Sequence, residues 1–255
     1  YGHYSPSGAS GFTGLQPDRV ADTRIGLGLG TRLPAGATRS LLVAGQAGVP
    51  EDADAVVLNL TAIYPSANGF VTAYPCGTTR PGASTVNPRV GQVRPNTAVV
   101  PIGADGTVCF FTNVSVDLAV DITGYMSEAS DDSYTAATPF RLVDTRDARR
   151  VEMNLGTGGF PMGAGWTLTV PMAGTRGIPA DAKAVSINIS ATGAAGSGFV
   201  SLWPCVERPE ASNLNIAGSS ARANNAVVTL SPSGTICIYT KVTMHIIIDV
   251  IGWWS

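Results

Sequence analysis

From Ala184 to Ser190 apolar and polar residues alternate, with Val185, Ile187 and Ile189 on one side and Ser186, Asn188 and Ser190 on the other. A period of two marks a strand with one buried face. The matching stretch, Ala55–Thr61, turns Val56, Leu58 and Leu60 inward by correspondence and leaves Asn59 facing outward. Further strands are expected at Ser40–Ala44, Asn96–Pro101, Asn224–Leu230, Asp117–Tyr125 and His245–Trp253. Asp105-Gly106 and Ser233-Gly234 are turn dipeptides between them. Nowhere does apolar spacing of three, four and seven residues persist over three turns, so the pattern predicts no long helix.

The strands fall into two matching sets. Gly69–Cys76 reads Gly-Phe-Val-Thr-Ala-Tyr-Pro-Cys and returns at Gly198–Cys205 as Gly-Phe-Val-Ser-Leu-Trp-Pro-Cys. Arg19-Val-Ala-Asp-Thr-Arg24 is answered by Arg141-Leu-Val-Asp-Thr-Arg146, and Ala83–Asn87 by Ala211–Asn215. The chain is therefore an internal duplication. The expected fold class is all-β, two tandem antiparallel β-sandwich domains of six to eight short strands each. A sandwich is favoured over a closed barrel because the strand lengths are irregular. The expected boundaries are an N-terminal arm at 1–16, repeat 1 at 17–126, a linker at 127–138 and repeat 2 at 139–255.

Composition narrows the classes of function. Charged residues are 13% of the chain, about half the usual share, and the formal net charge is −2. Without a basic stripe, nucleic-acid binding and electrostatic membrane attachment are not expected. No apolar run is long enough for a transmembrane helix. The scant charge leaves little repulsion against self-association. Each half carries two cysteines, Cys76 with Cys109 and Cys205 with Cys237, spaced 33 and 32 residues apart. Metal sites need denser clusters, so one disulfide per half is expected, each worth roughly 3–4 kcal/mol by the chain-entropy model. The compartment is then oxidising, either extracellular or a cell surface. A start at Tyr1 suits a processed product.

Candidate chemistry is sparse. The Asp-Thr-Arg triplets, Asp22–Arg24 and Asp144–Arg146, offer a carboxylate, a hydroxyl and a guanidinium, a set able to bind a sugar or an acid. The structural reading is preferred, because an arginine beside a core needs an acid partner. The expected ion pairs are Arg24 with Asp121 and Arg146 with Asp249, the last lying on a buried strand face. Ile25–Gly30 lacks the spacing, helix and lysine of a phosphate loop. His3 and His245 have no matching partner in the other copy, and Asp131 and Asp132 lack a calcium-loop frame. No catalytic residue, cofactor or metal is expected. Asn59, Asn113 and Asn188 head Asn-x-Ser/Thr triplets and are candidate glycosylation sites. Among the aromatics, Tyr74 and Trp203 are read as packing residues. Trp253 and Trp254 end the chain as a candidate docking pair.

Taken together, Arg141–Arg146, Gly69–Gly77, Ala211–Asn215, Asp105–Cys109 and Asp121–Tyr125 resemble a module repeated in secreted bacterial cell-surface proteins of poorly characterised function. The resemblance implies an extracellular, β-rich, non-catalytic module. Copy one departs from it at Val20-Ala21, where copy two has Leu142-Val143. The expected function is a structural subunit of a head-to-tail surface filament, its partner another copy of itself. The arm, with Tyr1, Tyr4 and Phe12, either folds back on its own domain or, in the filament reading, docks on a neighbouring subunit beside an exposed strand edge. The alternative is a lectin-like module whose partners are cell-wall glycans.

Overall fold

A computed structural model describes residues 10–146 and 159–255. The chain divides into two compact units between Asp131 and Asp132. Unit 1 holds β1 (Gly11–Asp22), β2 (Thr38–Leu42), β3 (Ala55–Ile63), β4 (Val71–Pro75), β5 (Val93–Pro101), β6 (Thr107–Thr112) and β7 (Asp117–Ser127). Unit 2 holds β8 (Tyr134–Asp144), β9 (Thr167–Pro171), β10 (Ala184–Thr192), β11 (Gly198–Trp203), β12 (Leu214–Ile216), β13 (Arg222–Thr229), β14 (Thr235–Thr240) and β15 (His245–Trp254). There is no helix among the described residues.

Each unit is a sandwich of two antiparallel sheets. In unit 1 the sheets run β1-β7-β3-β5 and β2-β6-β4, and in unit 2 β13-β10-β15-β8 and β12-β11-β14-β9. A Val71–Val86 bridge in unit 1 stands where unit 2 has β12. Apart from the β11–β12 hairpin, successive strands alternate between the sheets, which is the jelly-roll arrangement of two Greek keys. The cores are aliphatic. In unit 1, Leu58, Leu60, Leu118, Val120 and Ile122 cluster with Val71, Val108 and Phe110. In unit 2, Val185, Ile187, Ile189, Ile246 and Ile248 cluster with Val200, Leu202 and Ile238. Side chains of this size contribute about 1.5–3 kcal/mol each when fully buried.

The alternation in β10 is observed, with Ser186, Asn188 and Ser190 half-buried. In β3 it fails, because every residue from Ala55 to Ile63 is buried. Asn59, expected to face outward, is 1% exposed. Its carboxamide is drawn onto Asp121, with Nδ2 donating at 3.3 Å.

The structural repeat starts ahead of its sequence signature. Gly11–Gln16, assigned to the arm from sequence, lie in β1, and Tyr134–Thr138, assigned to the linker, lie in β8. In both copies an aromatic side chain near the strand start covers a glycine. A Cβ on Gly124 would sit 2.4 Å from the Phe12 ring and 2.7 Å from the Thr13 carbonyl oxygen. A Cβ on Gly252 would sit 2.4 Å from the Tyr134 hydroxyl and 2.5 Å from the Thr135 carbonyl oxygen. The glycines of Asp121-Ile-Thr-Gly124 and Asp249-Val-Ile-Gly252 thus allow a close approach that any side chain would block. Phe12 is 1% exposed and built into its own unit, so it is not a free docking anchor. Tyr1 and Tyr4 lie outside the described residues.

Candidate functional site

The Asp-Thr-Arg triplets close an ion-pair frame at the end of the first strand of each unit. Arg19 lies directly across from Asp121 in the β1–β7 ladder. Its Nε and Nη2 donate to the two carboxylate oxygens at 2.8 and 3.3 Å. Its Nη1 also reaches Asp22 at 3.5 Å. Asp22 in turn accepts from Arg24 Nε and Nη2 at 2.9 and 2.5 Å. Unit 2 repeats the chain of contacts. Arg141 donates to Asp249 at 2.8 and 3.1 Å, and Arg146 donates to Asp144 at 2.9 and 2.8 Å.

The expected partners are therefore corrected in both copies. Arg19 and Arg141 hold Asp121 and Asp249, while Arg24 and Arg146 fold back on Asp22 and Asp144. The cause is a turn after the aspartate, fixed by its own carboxylate accepting the backbone N–H two residues on, at 3.1 Å in each copy. The threonines are committed as well. Thr23 donates to Asp117 at 2.8 Å, and the Thr145 hydroxyl meets His245 Nδ1 at 3.1 Å. Asp249 is also less enclosed than expected, with its side chain 24% exposed against 0% for Asp121.

Environment separates these carboxyls. The Arg146 fork holds Asp144 down to about 2. Asp22 is lowered in the same way by Arg24. Asp121 moves upward, because its burial outweighs the fork from Arg19.

The repeated phrases after each first cysteine are framework too. Thr72 donates to the Ala83 carbonyl at 3.0 Å, and Ser201 donates to that of Ala211 at 2.6 Å. Thr85 and Asn213 accept the N–H groups of Ala73 and Leu202, both at 2.8 Å. Side chains of Ala83–Asn87 and Ala211–Asn215 thus extend the β4 and β11 ladders.

Sequence reading missed a second duplicated constellation, on the outer face of the smaller sheet in unit 1 and its equivalent in unit 2. The disulfides Cys76–Cys109 and Cys205–Cys237, with Cα separations of 5.0 and 4.9 Å, staple a loop there. That loop lays Arg80 over the Phe111 ring, 3.9 Å from its centre, and Arg208 over the Tyr239 ring at 4.1 Å. A second aromatic flanks each: Phe70 is 5.8 Å from Phe111, and Phe199 is 5.9 Å from Tyr239. The signal was present, since each first cysteine is followed by Arg-Pro and each second cysteine by an aromatic two residues on.

Other expected positions fare differently. Asn113 is exposed, with its side-chain oxygen accepting the Phe70 N–H at 2.7 Å, and Asn188 is half-buried. Burial closes Asn59 to a glycan, because its carboxamide nitrogen faces Asp121 inside the unit. Tyr74 and Trp203 are buried. Trp254 is not part of an exposed pair: it is 3% exposed and packs against the Tyr134 ring in a tilted contact, with centres 4.7 Å apart. The Gly-rich loop turns carbonyls, rather than N–H groups, toward a cation, with Arg39 donating to Leu29 and Thr31. Among the described residues no group of three His, Cys, Asp or Glu is placed to hold a metal ion. Nor is any helix there long and apolar enough to cross a membrane.

No family model matches the chain, and no curated protein matches it. Solved structures that resemble it include the tandem CBM22-1–CBM22-2 domain of Paenibacillus barcinonensis Xyn10C. That similarity has 8% identity, covers 93% of this chain and 98% of that one, and has a TM-score of 0.25. The extracellular domain of ANXUR1 from Arabidopsis thaliana is another, with 8% identity, 86% and 82% coverage and a TM-score of 0.28. Superpositions this loose transfer no property to the chain.

Proposed function

We propose that the chain is an extracellular, non-catalytic structural protein built from two disulfide-stapled jelly rolls. The observation that carries this reading is the fate of the repeated charged residues. Arg19, Asp22, Arg24 and Asp121, and their counterparts in unit 2, are spent on one another. An acid-base pair working on a substrate would need a carboxyl directed at open space. The two disulfides support the oxidising compartment.

Head-to-tail filament assembly is the more specific form of this reading. With Phe12 enclosed, the docking residues would be those ahead of Ser10. Addition of a strand at β1, β5 or β8 is disfavoured by Pro17, by Pro95 with Pro101, and by Pro139, and β1 and β8 carry register shifts as well. Sedimentation and electron microscopy of the full chain, with and without residues 1–9, test the assembly. Oligomers that fall to folded monomers on deletion support it. Assembly that survives the deletion, or a full chain that stays monomeric, refutes it.

A second reading, glycan binding, is favoured by the stapled outer faces. Each presents a half-buried aromatic pair beside exposed hydroxyls on the neighbouring strand, Thr38 and Ser40 in unit 1 and Thr167 and Thr169 in unit 2. Aromatic rings beside hydroxyls suit the alternating apolar faces and polar edges of sugars.

A further inference from the structure

The arginines of this chain differ in how they are spent. Arg19, Arg24, Arg32, Arg141 and Arg146 are paired with carboxylates, and Arg39 is bound to carbonyl oxygens. Arg80 and Arg208 are exposed and lie on aromatic rings, and among the described residues neither makes a hydrogen bond or an ion pair. A guanidinium resting on a ring is held in place while its N–H donors stay unused, a fork that matches a carboxylate. The disulfide fixes the loop that carries it, so less ordering remains when a ligand binds. The same geometry occurs in both units although the loops differ in length and the ring is Phe in one and Tyr in the other.

We propose that Arg80 and Arg208 are the anchors of two carboxylate-binding sites for an acidic polysaccharide, each taking a uronate-type sugar. The proposal rests on the glycan-binding reading above and adds the charge of the ligand. The guanidinium takes the carboxylate, the flanking Phe70 or Phe199 offers a surface to the sugar ring, and the Thr38 or Thr167 hydroxyl lies one strand away. A duplicated site suits a polymer whose charge repeats, since each unit can take a carboxylate on its own. The two sites are unequal. Gly77–Asn87 carries no acid, whereas Glu207 and Glu210 stand beside Arg208 in the chain and add negative charge to that loop. Arg80 is the stronger anchor.

The test is binding of the full chain to polygalacturonate, to its methyl ester and to a neutral glucan, by affinity electrophoresis and calorimetry. Polygalacturonate should bind in a salt-sensitive way, and the ester should bind about tenfold more weakly or worse. Arg80→Ala should weaken binding about tenfold, Arg80→Lys should not restore it, and Arg208→Ala should cost less. Circular dichroism checks that the variants keep their fold. Equal binding of polymer and ester, or an Arg80→Ala/Arg208→Ala variant that binds polygalacturonate normally, overturns the proposal. Binding of the neutral glucan alone overturns it and leaves the glycan reading standing, while binding of none of the three ends both. Self-association lost in the double variant, without polysaccharide binding, names a second copy of the chain as the occupant and overturns the proposal.

Discussion

Arg19 grips Asp121 across the β1–β7 ladder with two donors, at 2.8 and 3.3 Å, and the aspartate side chain is 0% exposed. Its counterpart, Arg141 on Asp249, has nearly the same geometry around a carboxylate that is 24% exposed. A duplicated ion pair thus sits in two dielectric settings within one chain.

Removing the acid should expose that difference. Asp121→Ala takes the two closest carboxylate contacts from a mostly buried guanidinium and should cost unit 1 about 3–5 kcal/mol. Asp249→Ala leaves Arg141 able to turn to water and should cost unit 2 less. Urea unfolding of each variant, followed in the unit concerned, measures both. Equal losses would show that burial does not set the strength of the pair.

Acid should act on Asp144. Its folded pKa, about 2, lies below its ordinary value of 3.8. A depressed carboxyl contributes stability above its unfolded pKa and loses it as pH falls toward the folded one. Unit 2 should therefore weaken between pH 3.8 and about 2. Asp144→Asn should flatten that slope, and a slope unchanged in the variant would contradict the role of the Arg146 fork. Asp121 has the opposite sign: raised by burial, it favours the folded state most when protonated and loses that contribution as pH climbs through its folded pKa.

Gly124→Ala should destabilise unit 1 by about 1–3 kcal/mol, the usual cost of overpacking, because the new methyl meets Phe12 and the Thr13 carbonyl. Gly252→Ala should behave alike in unit 2 against Tyr134. Thermal unfolding of the two variants decides it. A neutral result would mean that the aromatic lid moves aside freely.

Replacing Cys76 and Cys109 together by serine should cost roughly 3–4 kcal/mol by the chain-entropy model. It should also release Arg80 from the Phe111 ring. Denaturant unfolding gives the first effect, and the NMR ring-current shifts of the Arg80 side chain give the second. Shifts unchanged in the variant would show that the stack does not depend on the staple.

Much of this fold was legible in the sequence. Repeated phrases gave the two units, alternation placed β10, and matched cysteine spacing gave both disulfides. The ion partners were not legible, because register decides them. Arg19 meets Asp121 only once β1 is aligned on β7 through two register shifts, while Arg24 is carried away by the turn after Asp22. Asn59 misled for a related reason. Alternation in β10 was transferred to β3, but β3 is enclosed on both faces. The starts of β1 and β8 escaped notice because Phe12 and Tyr134 share a role and little surrounding sequence. Arg80 and Arg208 were visible as Arg-Pro after a cysteine, but nothing local says that a ring lies beneath them.

The central claim is that the repeated charged residues hold the fold together instead of acting on a substrate. A double-mutant cycle on Arg19 and Asp121 tests it most directly, with unfolding free energies for Arg19→Ala, Asp121→Ala and the pair. The account predicts large single losses and a coupling of about 1 kcal/mol or more. Single losses within about 0.5 kcal/mol of zero, adding without coupling, would contradict it.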